Sequence, residues 1–272
     1  MKTLKNHTLL YDDQCPLCKA YTGAFIKSGM LDGNGRTLYQ EGVRAFSGKI
    51  DAARSCNEIA LVNTQTGEAI YGLQSLLAIL GYNVPYIKSI GNFKPVYGFL
   101  NTLYKFISFN RKVIAPSRTY REQTCVPTFH AGFRIAFIVL CGIFTSLVLN
   151  HYASRLQGLV PSSSLYREFA ICFGQIVFQG LLLVAVRSRK TPVFDYLGNM
   201  MTVSLIGALL LLPAIGLSHI MVLSGYIYLG YFMLVVAFML FMHARRVAYI
   251  GAPGWLSISW VVYRLLVLTI IL

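Results

Sequence analysis

Cys15 and Cys18 are separated only by Pro16 and Leu17. Two thiols at that spacing can trade a bond with another molecule. One attacks a disulfide, and the other then attacks the mixed disulfide, leaving the two joined to each other. The pair stands at the head of a helical run that extends to about Ser28. A cysteine at a helix N-terminus meets unpaired N–H groups and the positive end of the macrodipole, and both favour thiolate. Pro16 suits the first turn because it has no N–H to waste. Cys15 is therefore the candidate attacking nucleophile and Cys18 the candidate resolving thiol, with Tyr11, Asp12, Asp13 and Pro16 as supporting residues. Asp12 and Asp13 bring negative charge near Cys15, which raises a thiol pKa and opposes the helix. Two cysteines also make half a zinc site. No second pair or His doublet completes one at the usual spacing, so neither a metal nor another cofactor is expected.

The elements that must position the pair can be read on either side of it. A strand signal at Thr8–Asp12 leads into the cysteines, and Arg36–Gln40 suggests a second strand. A clearer strand covers Asn57–Asn63, and Thr66-Gly67 turns it into Glu68–Tyr71 as a hairpin. Gly72–Leu80 reads as a short amphipathic helix. Strand, helix, strand, hairpin and helix suit an α/β layer of thioredoxin-like size, placed at residues 1–95. Cys56, just before the Asn57 strand, is either a packing residue or a third thiol approaching the pair. Residues 96–129 form a basic, aromatic connector. Its Tyr97, Tyr104, Phe106 and Phe109, beside Lys105, Arg111 and Lys112, suit an interfacial helix on anionic headgroups or a helix packed on the domain.

Tyr11-Asp12-Asp13-Gln14-Cys15-Pro16-Leu17-Cys18 resembles the Tyr-Asp-Gly-x-Cys-x-x-Cys opening of the DCC family of predicted thiol–disulfide oxidoreductases. The resemblance continues through Leu61-Val62-Asn63, Thr66-Gly67-Glu68, Tyr71-Gly72 and Asn110-Arg111, covering about residues 8–115. It implies a thioredoxin-like fold and disulfide exchange at Cys15 and Cys18. Asp13 stands where the family has Gly, a residue that would favour positive φ.

Beyond residue 129 the composition changes. Hydrophobic residues are 56% of the 272-residue chain and charged residues 12%, but residues 1–129 hold 15 of the 24 Lys/Arg and 8 of the 10 Asp/Glu. Apolar stretches at 130–152, 168–186, 193–217, 220–243 and 255–272 are each long enough to cross about 30 Å of hydrocarbon. An all-α transmembrane bundle of about five spans is expected over 130–272. Basic residues flank the spans unevenly: Arg111, Lys112, Arg118 and Arg121 before the first, Arg187, Arg189 and Lys190 in the second connection, Arg245 and Arg246 in the fourth. The first connection has Arg155 and Arg167, and the third has neither Lys nor Arg. The positive-inside rule then puts the N-terminal domain in the cytoplasm, in a membrane of the bacterial inner-membrane type. The start also lacks the apolar core of a secretory signal. Arg264 falls within the last stretch. It reads either as an anion or quinone-headgroup site, or as a charge that snorkels or pairs with Asp195 or Asn199. Cys172, Gln175 and Gln179 share a helical face suited to interhelical hydrogen bonds, and Gly142 with Ser146 suits close packing.

The net charge of +14 could suggest nucleic acid, but the basic residues are scattered and many sit where membrane topology places them. The expected function is a membrane-anchored thiol–disulfide oxidoreductase. Its partners would be a protein or small-molecule thiol or disulfide and the lipid bilayer, with a membrane-protein partner or quinone as further options and no nucleic acid. The alternative is a transport or assembly protein whose thioredoxin-like domain senses redox state without turnover.

Overall fold

The computed structural model describes residues 2–117, 125–156, 158–161, 163–186, 192–221 and 223–271, the side chains of 270 and 271 excepted. Arg118, Arg121, Arg187, Arg189 and Lys190, which carry much of the topology argument, lie outside them. The chain divides into two compact units, Met1–Phe133 and Arg134–Leu272.

The first unit is built on a four-stranded sheet in the order β2-β1-β3-β4. β1 (His7–Tyr11) pairs in parallel with β2 (Arg36–Leu38), and α1 (Pro16–Lys27) makes the crossover that parallel strands require. β3 (Ala60–Asn63) is antiparallel to β1, and β4 (Ala69–Tyr71) is antiparallel to β3. Alternation along the central strands fills both faces of the sheet. Leu9 and Leu61 point to a core with Leu31, Ile59 and Ile79. Leu10, Ala60 and Val62 point to the other side, against Phe46 and Ile50. The hairpin turns where predicted. Asn63 Oδ1 accepts from the N–H groups of Gln65 and Thr66, and Gly67 takes a φ of +76° that a side chain would resist.

Two short helices, α2 (Tyr39–Ala45) and α3 (Ala52–Asn57), separate β2 from β3. The strand expected over Asn57–Asn63 therefore starts three residues late, because Asn57 closes α3. Asp51 caps that helix by accepting from Arg54 N at 2.9 Å, and Ala52, Ala53 and Arg54 are good helix formers behind the cap. After β4 come α4 (Leu73–Asn83), α5 (Pro85–Asn92) and α6 (Lys94–Ile114). Gly72, at φ +65°, makes the sharp entry into α4. The stretch expected as a connector is mostly α6, which belongs to the first unit. One face of α6 packs on the domain: Tyr104 Oη accepts from Ile59 N at 2.8 Å, and Ser108 Oγ donates to the carbonyl of Asn57. An adjoining stripe leaves Phe99, Leu103 and Ile107 exposed.

The second unit is all helix. α7 (Ala131–Ala153), α8 (Leu165–Ala185), α9 (Val193–Leu217) and α10 (Gly225–Tyr249) are long and apolar enough to cross a membrane, which marks a multi-pass membrane protein. The fifth apolar stretch forms α11 (Trp255–Ile271), a 17-residue helix shorter than the other four, so about five spans becomes four long ones and a shorter companion packed on α8 and α10. Arg245 and Arg246 do not sit in a connection. They lie inside α10, which runs on to Tyr249 before Gly251 ends it.

Polar groups hold the bundle as the sequence suggests. Gln175 Nε2 donates to Trp260 O, and Gln179 Oε1 accepts from Tyr196 and Ser259. Ser146 reaches the carbonyl of Glu168, and Gly142 lies against the ring of Phe173. Arg264 does not pair with Asp195 or Asn199. Arg134 takes Asp195 at 2.6 Å, Arg246 donates to Asn199 Oδ1 at 3.1 Å, and Arg264 lies over the Trp260 ring, 5.3 Å from its centroid.

Candidate thiol site

Cys15 is the N-cap of α1. Its backbone is extended, at φ −90° and ψ 112°, and its Sγ accepts the N–H of Cys18 at 3.4 Å. That donor is one of the orphan groups at a helix start, so the sulfur occupies the place of a capping oxygen. Pro16 takes the first helical position, and the turn is closed by Cys15 N donating to Asp12 O at 3.2 Å. Asp12 Oδ1 accepts from Gln14 N at 2.9 Å, fixing the carboxylate beside the turn. The local geometry follows from β1 ending in the core and α1 starting at once.

Both sulfurs are buried and free, Cys15 at 6% exposure and Cys18 at 4%. Each nevertheless lines a cleft. Cys18 forms part of a cavity of about 270 Å³ together with Asp12, Tyr21, Tyr104, Arg111 and Cys125. Cys15 lines a narrower cleft with Asp12, Gln14, Arg111, Lys112 and Cys125. The pair titrates as one unit. The Cys18 thiol is pushed down to about 6, chiefly by a hydrogen bond from Cys15, with Arg111 and Tyr21 helping against burial. The same hydrogen bond, then burial, pushes the Cys15 thiol up. One proton thus leaves the pair below the ordinary thiol range and the second is held.

The supporting residues separate. Asp12 is in both clefts and 6% exposed, and burial raises its carboxyl above the ordinary value, opposed by the Gln14 N–H and Arg111. Tyr11 lies under Arg36, whose guanidinium is 5.1 Å from the ring centroid, and lines a different cleft. Asp13 accepts from Gln14 Nε2 at 3.3 Å. Among the described residues only Asn6 is a non-glycine at positive φ, so Asp13 takes no left-handed strain.

Three participants escaped the functional reading of the sequence. Arg111 is buried near the end of α6 and bridges the site: its Nη2 donates to Cys56 O at 2.8 Å and meets Cys125 O and Sγ at 3.5 Å. Tyr21 and Tyr104 wall the larger cavity. The late Asn-Arg match was the available signal for Arg111. Asn110, fully buried beside it, donates to the carbonyls of Phe106 and Phe133 and fixes that end of the helix. Cys56 is neither a lone packing residue nor a free third thiol. It is disulfide-bonded to Cys125, with Cα atoms 5.2 Å apart. No group of three or more His, Cys, Asp or Glu that could hold a metal occurs among the described residues.

Comparison of the chain with protein families, with characterised proteins and with solved structures finds no match.

Proposed function

We propose that the chain is a membrane-anchored thiol–disulfide oxidoreductase, with a thioredoxin-like first unit of the DCC type working through Cys15 and Cys18. The observation that carries this is the Cys15 sulfur capping α1 while hydrogen-bonded to Cys18, with the Arg111 cation beside both clefts. The order strand, helix, strand, two short helices, hairpin and helix, with the sheet order β2-β1-β3-β4, supports the fold assignment.

Cys15 passes its proton to the Cys18 thiolate through their shared hydrogen bond and attacks one sulfur of a substrate disulfide, expelling the other half as a thiolate that takes a proton from solvent. Cys18 then attacks the Cys15 sulfur and expels the remaining half. A dithiol and a substrate disulfide become the Cys15–Cys18 disulfide and two substrate thiols. Asp12, carrying a raised carboxyl in both clefts, is placed to take and return the thiol protons. Arg111 stabilises whichever sulfur carries the charge.

The test is a glutathione redox titration of the full chain in membranes, read by differential alkylation of Cys15 and Cys18. The two should oxidise together as one two-electron couple, and Cys15→Ser or Cys18→Ser should abolish it. Thiols that never oxidise jointly at any poise would sink the enzyme. The same alkylation in intact cells and inside-out vesicles reports which side of the membrane the site faces.

A further inference from the structure

Cys125 lines both clefts that hold the active sulfurs, and it is already joined to Cys56. Here the two pairs also share a cation: Arg111 contacts Cys125 Sγ at 3.5 Å and the Cys56 carbonyl at 2.8 Å, while lining both clefts. Cys56 itself lines neither cleft, so Cys125 is the member of its pair that borders them.

We propose that Cys56 and Cys125 form an internal second couple that returns electrons to Cys15 and Cys18 after each turnover. This rests on the oxidoreductase reading and extends it. The Cys125 thiolate attacks Cys18 Sγ of the Cys15–Cys18 disulfide; that S–S bond breaks and Cys15 leaves as thiolate. The Cys56 thiolate then attacks Cys125 Sγ, closing Cys56–Cys125 and expelling Cys18 as thiolate. Two electrons and two protons pass from one pair to the other, the protons ending on the Cys15–Cys18 pair and Asp12 or solvent. A low-pKa thiol is the better leaving group, which suits Cys18 to this departure. The structure has the arrangement that follows transfer, with thiols at 15 and 18 and the disulfide at 56 and 125. A thiol reductant, small molecule or protein, would reopen the second pair and complete the cycle.

The test traps the intermediate. In the full chain carrying Cys15→Ser and Cys56→Ser, mild oxidation should join Cys18 to Cys125 in most molecules, read by peptide mass mapping. In the unsubstituted protein, fully reduced and then given one equivalent of diamide, the disulfide should settle on Cys56–Cys125 at a rate independent of protein concentration. That second measurement stands even if the double variant does not fold. Absence of the Cys18–Cys125 link in a folded variant, or a disulfide that stays on Cys15–Cys18 in the unsubstituted chain, overturns the relay. A Cys56→Ala/Cys125→Ala chain separates the two ideas. If its Cys15–Cys18 couple still titrates, only the relay has failed; if that couple never forms in any version, the oxidoreductase reading has failed with it.

Discussion

Behind the hydrogen bond that Cys15 and Cys18 share, Arg111 and Asp12 act on the Cys18 thiol from opposite directions, and each makes a measurable claim. Iodoacetamide modification of the reduced pair should rise through a midpoint near 6, where Cys18 ionises. Arg111→Gln should move that midpoint upward and slow modification at pH 6.5 severalfold, because it removes a positive charge that favours thiolate on both cysteines. The same change forfeits buried charged hydrogen bonds to the Cys56 and Cys125 carbonyls and costs the fold about 2 kcal/mol. Asp12 works through the sign of its shift. Its folded-state carboxyl is raised, so the protonated form fits the fold better than the ionised one. Stability from this group is fully present below the ordinary carboxyl range and is lost as pH rises through the raised value. Asp12→Asn should therefore show a higher melting temperature than the parent at pH 7 and nearly the same one at pH 3. A lower melting temperature at pH 7 would show that Asp12 is held as a stabilising carboxylate.

At the scale of elements, the sheet depends on a few two-sided strands. Leu61 is 1% exposed opposite Leu9, and Leu61→Ala should destabilise the first unit by about 3 kcal/mol, measured by denaturant unfolding. Tyr104→Phe tests how α6 is fastened. It removes the acceptor from a part-buried Ile59 N–H and should cost about 1–2 kcal/mol. The start of α1 was legible in the sequence because its signals are local: a capping cysteine, proline at the first position and a strand just before. α3 was missed although Asp51 followed by helix formers is equally local, because the apolar run Ile59–Val62 dominated the reading. In the bundle, the spans were visible as apolar length. The end of α10 was not, since Arg245 and Arg246 look like a loop until their helix is seen to continue. That Arg134 and Arg246, not Arg264, reach Asp195 and Asn199 is not legible, because nothing in a sequence says which of several arginines reaches a given carboxylate.

Across the molecule the hardest features to read were those joining distant residues. Arg111 follows Cys18 by 93 positions, and the Cys56–Cys125 pairing spans 69. Cysteine connectivity cannot be deduced from spacing alone. A loop of that length, if held by a bond that also constrains the unfolded chain, is stabilised by roughly 4 kcal/mol in the chain-entropy view. Reducing that disulfide should therefore raise hydrogen exchange at the β1 and β3 amides by a factor of several hundred, provided those amides exchange through global opening. Unchanged exchange would mean the bond adds little to the fold. In the second unit, Asp195→Ala removes the carboxylate facing Arg134 and should cost about 3 kcal/mol, read by thermal unfolding in detergent.

The position of Arg111 near the end of α6 has a consequence for biosynthesis. The ribosome makes Cys15 and Cys18 well before the guanidinium that comes to lie beside them, and Cys125 comes later still. Until then the nascent thiols lack the cation that lines both of their clefts in the fold. Translation itself thus withholds that charge from the pair until the polypeptide nears its first apolar helix.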